Sequence, residues 1–323
     1  MIRGICRKNM RKIIIGLTLI MSVMLFISNP IDDSFRLYQG LWNTGHLFFF
    51  AFLTWIFITH TPLIQRSWLR ILVVSLLFSL LLGGLIEVLQ FIVGRYMEWQ
   101  DLFTDMLGAL LGFLTVQFLA PEDRRPLNRP VIVLLSIVVL LAAFYPVISI
   151  VRDNLKIEAD FPVIANFESE DVLARWDNEY VGKFEINHQL YVEGESSAYI
   201  EFELSDEYEE YYPGVALEVI YPDWSAYQYL NISIHNDQKL NLDVEVKVYD
   251  RLHRQTGYEY SDRFNREVSL MPGWNNLKIN LQDILNAPQG RRMNLGDIAG
   301  FSIFMQNPET VTSIHLDNIH LSN

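Results

Sequence analysis

Six polar side chains, His46, Glu87, Gln90, Arg95, Asp101 and Asp105, are set within or beside long apolar runs of a 323-residue chain. An ionisable group at the middle of a membrane helix costs about 2.5 to 3.5 kcal/mol, so their number calls for a chemical reason. Carboxylates with a histidine, an amide and a guanidinium could move a proton, hold a cation or grip a polar headgroup. Helical spacing puts Glu87 and Gln90 (i, i+3) on one face, and Asp101 and Asp105 (i, i+4) on another. A second reading gives them only the task of holding a bundle together. Glu87, protonated, would then donate to Gln90 or a carbonyl, Arg95 would pair with Asp101, and His46 would sit at a span end close to water.

The elements that must position them are apolar runs: Ile13–Ile27, His46–Ile64, Ile71–Val93, Leu102–Ala120 and Val131–Val151. Those after the first are long enough, at about 1.5 Å per residue, to cross a hydrocarbon core of about 30 Å. The first follows Arg3, Arg7, Lys8, Arg11 and Lys12 and ends at Ser28-Asn29-Pro30 with no small-x-small cleavage pattern, so it reads as an uncleaved signal anchor. Five spans are therefore expected. Arginines and lysines are retained on the cytoplasmic side. The N-terminal tail carries five, and the second–third and fourth–fifth loops carry Arg66, Arg70, Arg124, Arg125 and Arg129; the opposite loops carry only Arg36 and Arg95. The N-terminus is then cytoplasmic, residues from 152 onward are extracytoplasmic, and the six polar groups lie toward the outer face of a bacterial cytoplasmic membrane. Gly83 and Gly84 on one helix and Gly108 and Gly112 on the next would allow those two helices to approach closely.

This set resembles the VanZ-like integral membrane proteins over roughly residues 35–120. Their pattern is a histidine early in one span, E-x-x-Q near the end of the next, an arginine in the turn, and D-x-x-x-N leading into a glycine-rich span. His46, Glu87, Gln90, Arg95, Asp101, Gly108 and Gly112 match it. Asp105 stands where the family has asparagine, and Trp42-Asn43 where it often has Asp-Lys. The resemblance implies a cell-envelope role of the kind associated with low-level glycopeptide resistance.

The chain changes character near residue 152. Residues 1–152 hold 13 Lys+Arg against 8 Asp+Glu, and residues 153–323 hold 12 against 30. An acidic second half disfavours nucleic acid as a partner. The single cysteine, Cys6, excludes an intrachain disulfide. The expected plan is a membrane domain over 1–151, a linker over 152–162 and an extracytoplasmic domain over 163–323.

In the second half, short alternating runs such as Ser197–Glu203, Ala216–Ile220, Tyr229–His235, Asp243–Tyr249, Asn276–Asn280, Gly300–Met305 and Ser313–Leu321 are separated by Pro- and Asn-rich turns. They predict an all-β jelly-roll sandwich. Alternation along the last run places His315 and Asp317 on one face and His320 on the other.

The opening IANFES, the central YPDWSAYQYLNISIHN, then YSDRFNREVSLMPGWNNLKINL and the closing IHLDNIHL, are similar to carbohydrate-binding jelly-roll modules and galactose-binding-like domains. That resemblance implies a structural Ca2+ on Glu168 and Asp317. Sugar recognition needs flat aromatic faces and planar polar groups. Of Tyr211, Tyr212, Trp224, Tyr227, Tyr258, Tyr260, Trp274 and Arg263, the expected ligand-facing set is Tyr258, Tyr260 and Arg263, with Trp224 and Trp274 packing the core. Glu207, Glu209 and Glu210 read as a solvated loop.

Three functions remain open. The chain could display a glycan-binding domain beside a membrane pocket for a lipid-linked or amphipathic envelope component. It could be an enzyme or transporter for lipid-linked cell-wall precursors, using Glu87 and Asp105. It could also be a protein–protein scaffold of the envelope.

Overall fold

The structure, a computed structural model, describes residues 16–23, 36–92, 99–178, 181–204 and 211–323. It divides into two compact units, Met1–Asp153 and Asn154–Asn323. The expected plan put the first boundary at 151. Residues 152–160 are helical, because the last long helix runs on through them.

In the first unit, residues 16–23 form a helical segment, α1. Four longer helices follow: α2 (Arg36–His60), α3 (Trp68–Ile92), α4 (Trp99–Leu119) and α5 (Arg129–Asp160). Among the described residues these four are long and apolar enough to cross a membrane. Of the fifth expected span, Ile13–Ile27, residues 16–23 form α1 and the remaining seven lie outside the described residues. Many large apolar side chains on these helices face outward, including Leu81, Phe91, Leu119 and Leu134, as a lipid-facing surface requires.

The start of α2 is the main departure from the sequence reading. The helix begins ten residues before His46, because the stretch from Arg36 to Gly45 is mixed in polarity yet contains no proline to stop it. His46 is therefore about 15 Å inside the helix at 1.5 Å per residue, and is 4% exposed. It is buried and well inside its helix, not at the helix end.

The glycine contacts also differ from expectation. Gly108 and Gly112 of α4 lie against the backbone of α2 at Leu47 and Ala51, where a Cβ would collide with main-chain oxygens. They seat α2 on α4, and α3 is not their partner. Gly83 of α3 meets Asp105 of α4, and Gly84 has open space.

The second unit is a sandwich of two antiparallel sheets. Its strands are β1 (Val163–Ala165), β2 (Trp176–Asp177), β3 (Lys183–Asn187), β4 (Ser197–Phe202), β5 (Gly214–Leu217), β6 (Tyr229–Asn236), β7 (Leu242–Asp250), β8 (Phe264–Leu270), β9 (Gly273–Asn280), β10 (Ile298–Phe304) and β11 (Thr312–Ser322). One sheet runs β3-β4-β11-β6-β9, with β1 also on β11, and the other runs β2-β5-β10-β7-β8. Alternate residues fill the space between them: Leu230, Ile232 and Ile234 from one sheet; Val244, Val246, Val248, Phe301 and Ile303 from the other. Trp224 is fully buried in this core. Trp274 is half-buried and packs edge-on against His235.

Alternation fails in β11. The pairing with β6 shifts register between Asp317 and His320, and Asn318 takes a positive φ of 47°. A bulge adds one residue and reverses the facing of everything after it. Ile314 and Leu316 point inward before it and Ile319 and Leu321 after it, so His315 and His320 share the outer side.

Candidate functional site

The two units each bring polar residues together. In the membrane unit, α4 begins at Trp99, early enough for Asp101 and Asp105 to lie one turn apart on the same face. That spacing lets them flank one imidazole. His46 Nδ1 is 2.9 Å from Asp105 Oδ1, and Nε2 is 3.5 Å from Asp101 Oδ2. Asp101 is 2% exposed and Asp105 0%. The second Asp105 oxygen lies in the niche left by the missing side chain of Gly83, where a Cβ would stand 2.5 Å from it. Ser79 donates to the Asp105 backbone carbonyl at 2.9 Å. Glu87 and Gln90 are buried on α3, and Glu87 lies close enough to act electrostatically on both His46 and Asp105. Of the six sequence-predicted residues, five are thus buried within the three-helix assembly; Arg95 lies outside the described residues. An imidazole between two carboxylates can keep a proton in a low-dielectric interior, pass it from one side to the other, or give way to a cation.

Beside this cluster, at the same end of the bundle, a cavity of about 210 Å3 is lined by Asn43 and Thr44 of α2, Gln100 and Thr104 of α4, and Ala143 and Val147 of α5. Arg36 at its edge is tied 2.8 Å from Asp153.

In the β unit the site is the outward face of β2-β5-β10-β7-β8, and strand alternation explains its composition. With Val244, Val246 and Val248 inward, Glu245, Lys247 and Tyr249 point outward from β7. By the same rule Gly300, Ser302 and Phe304 face out from β10, Gly214 and Ala216 from β5, and Asp177 from β2. β5 and β10 therefore present glycine, alanine and serine along most of their length, with Phe304 at one end, while their neighbours carry long side chains. A trough follows, with a volume of about 650 Å3, within the size range of small-ligand sites. Gly300 lets the Tyr249 ring lie flat across β10, and the Tyr249 hydroxyl donates to Glu218 at 2.9 Å.

The rims are aromatic. Tyr212 is 44% exposed and Tyr260 is 61% exposed. The Arg263 guanidinium lies 5.0 Å from the centre of the Tyr260 ring, whose hydroxyl donates to Glu245 at 3.2 Å. On the floor, the Ser302 hydroxyl and Arg263 Nε make no hydrogen bond to the described residues. Burial, with the Arg263 charge adding to it, pushes the Lys247 ammonium down to about 8.

Of the three residues expected to face a ligand, Tyr260 and Arg263 line the trough. Tyr258 does not join them. It takes a positive φ of 62° and turns its ring edge-on to His253. Lys247, Ser302, Glu218, Glu245 and Asp177 were missed, although the period-two pattern of β7 already placed Glu245 and Lys247 on one face. Glu207, Glu209 and Glu210 lie outside the described residues.

Glu168 and Asp317 come from opposite ends of the unit and converge on the loop 192–195. Asp317 accepts from the Val192, Glu193 and Asn318 amides at 2.6, 3.0 and 2.7 Å, and Glu168 accepts from the Glu195 amide. Burial holds the Asp317 carboxyl above its usual value against the three amides, and the Glu168 charge pushes the same way. No group of three or more His, Cys, Asp or Glu side chains suited to a metal occurs among the described residues. Both carboxylates keep free lone pairs, a donor set of oxygen alone.

Residues 6–120 match the VanZ/LLP1 family model, so the chain carries a VanZ-like membrane unit joined to a β-sandwich. Among solved structures, the chain is similar to an exo-beta-agarase (16% identity, TM-score 0.39, 50% of this chain and 24% of that one). It spans about a quarter of that agarase. It is also similar to a family 11 carbohydrate-binding module from Clostridium thermocellum in complex with a beta-1,3-1,4-mixed-linked tetrasaccharide (12% identity, TM-score 0.38, 50% and 95%). A third is a family 30 carbohydrate-binding module of a Clostridium thermocellum cellulosomal cellulase (13% identity, TM-score 0.34, 45% and 86%). No curated protein matches the chain.

Proposed function

We propose that the β unit binds a glycan chain along the trough of its second sheet, and that the membrane unit holds that glycan at the outer face of the cytoplasmic membrane. One observation carries the reading: a floor of small residues is flanked by the exposed rings of Tyr212 and Tyr260, with Ser302, Lys247 and Arg263 between them. Sugar rings stack on flat aromatic faces, and their hydroxyls take up the polar groups that the fold leaves without partners.

The test is calorimetry on the full chain in detergent, titrated with cell-wall and plant polysaccharides. Saturable binding is expected, and Tyr260→Ala with Arg263→Ala should weaken it at least tenfold. An aromatic contact is worth about 0.5 to 1.5 kcal/mol and a hydrogen bond to a charged group about 1.5 to 3 kcal/mol. Tyr258→Ala should leave affinity unchanged. The ammonium of Lys247 donates only while protonated, so affinity should fall as pH rises through about 8, well below the usual lysine range. Absence of saturable binding by the folded protein to every glycan tested would refute the reading.

Ca2+ fits the same domain as a structural ion. Glu168 and Asp317 are the carboxylates that would hold it, supplying a link between the opening and closing segments of the sandwich. Calcium at about 100 times its dissociation constant adds about 2.7 kcal/mol, or roughly 5 to 10 °C in a unit of this size. Chelator should reverse the gain, and Glu168→Gln should abolish it. Equal melting temperatures with calcium and with chelator would remove the ion.

The His46–Asp101–Asp105 cluster favours a second reading, in which the membrane unit acts on a lipid-linked envelope precursor by acid–base or cation chemistry.

A further inference from the structure

A second cavity of the membrane unit, about 940 Å3, lies at the end of the bundle opposite His46. The C-terminal turns of α2 and α4 and the first turn of α3 enclose it. Trp55 comes from α2, Trp68 from α3, and Leu119 from α4. Trp68 and Leu119 are 46% and 66% exposed, so the apolar wall is continuous with the lipid-facing surface.

Three polar features break that wall. Arg66 and Arg124 both line the cavity, and neither guanidinium makes a hydrogen bond or ion pair with the described residues; no Asp or Glu lines the cavity. At the other end of the bundle, by contrast, Arg36 is matched by Asp153. The third feature is Gln117. It is 3% exposed, lines the same cavity, and its Oε1 has no hydrogen-bond partner among the described residues.

Two guanidiniums facing a cavity that no carboxylate lines call for an anion with several oxygens, and phosphate fits their forked donors. A buried amide oxygen requires a donor, which a hydroxyl supplies. Apolar walls open to the hydrocarbon require that the same ligand carry alkyl chains. We propose that this cavity binds an anionic phospholipid whose headgroup offers both a phosphate and a free hydroxyl. The phosphate sits between Arg66 and Arg124, the hydroxyl donates to Gln117, and the acyl chains run along Trp68 and Leu119. The site is independent of the glycan trough.

The full chain is purified in a neutral detergent, and its thermal transition is followed with added phosphatidylcholine, phosphatidic acid, phosphatidylglycerol or inorganic phosphate. Native mass spectrometry counts the lipid retained. Phosphatidylglycerol should be retained and should raise the melting temperature; phosphatidylcholine should do neither. Arg66→Gln with Arg124→Gln should weaken phosphatidylglycerol binding at least tenfold. Because both arginines are exposed and their side chains make no bond to the described residues, this variant should fold, and an unchanged transition without lipid confirms that. Gln117→Leu should bring phosphatidylglycerol down to the level of phosphatidic acid. The proposal is overturned if phosphatidylcholine binds as well as phosphatidylglycerol, if the double arginine variant binds as the parent does, or if inorganic phosphate alone gives the full response. The last outcome would define a free-anion site.

Discussion

Replacing Arg291 by methionine is expected to destabilise the β unit by about 3 to 5 kcal/mol, the cost of leaving buried charge without its partner. Arg291 grips Asp250 through two nitrogens, at 2.7 and 2.8 Å, and also bonds the Asp262 carboxylate and its backbone carbonyl. Asp250 is 0% exposed and also accepts from the His253 and Asn294 amides. Its burial was made tolerable by these donors together, and methionine removes the only cation among them. For a unit of this size the change should lower the calorimetric melting temperature by roughly 10 °C.

Binding should suffer as well. Asp262 stands between Tyr260 and Arg263 in the chain, so the Arg291 bond pins the single turn Tyr260–Asp262 that carries one rim of the trough. The Arg291 bond holds the Asp262 carboxyl down to about 2. Its stabilising share is therefore fully present above the ordinary carboxylate pKa of about 4 and lost as pH falls toward 2. The double variant Arg291→Met, Asp250→Asn should cost less than the sum of the two single changes, since the partners act as a pair. A melting temperature within a degree of the parent for Arg291→Met would show that the network contributes nothing.

The second large effect is expected at His46. Leucine there removes the group that both Asp101 and Asp105 face, and two buried carboxylates lose the imidazole between them. The same range, about 3 to 5 kcal/mol, applies to the loss of one partner of a buried pair. It should be read as a lower thermal transition of the purified protein and reduced accumulation in the membrane. Asp105→Asn separates support from chemistry. Asparagine keeps the volume and can still bond His46, so the protein should accumulate normally. An envelope phenotype lost in Asp105→Asn at normal protein levels would support acid–base or cation chemistry at the cluster. A phenotype retained in full would reduce the cluster to a packing device. If His46→Leu left both stability and accumulation unchanged, the assembly of the three residues would have no energetic standing.

Much of this was legible in the chain. The apolar runs fixed four spans that the helices reproduce within a few residues at most ends, because helix length in a membrane is dictated by thickness. The polar residues within them had to meet, since burying each alone is too costly. Likewise the period-two runs of β4, β6, β7, β10 and β11 were readable, because one face of each strand is packed in a core. What sequence could not supply was pairing. Tyr260 and Arg263 line a trough only because β10, some forty residues further along the chain, inserts between β5 and β7 and presents Gly300 and Ser302 as a floor. Nor could spacing reveal that Gly108 and Gly112 serve α2, or that His46 lies deep in a helix that starts early. Composition and period determined that this protein is a helical membrane unit with a β-sandwich attached. Tertiary structure alone decided which outward faces became clefts, because a cleft depends on which strands and helices become neighbours, and that is settled by long-range packing, which local pattern does not encode.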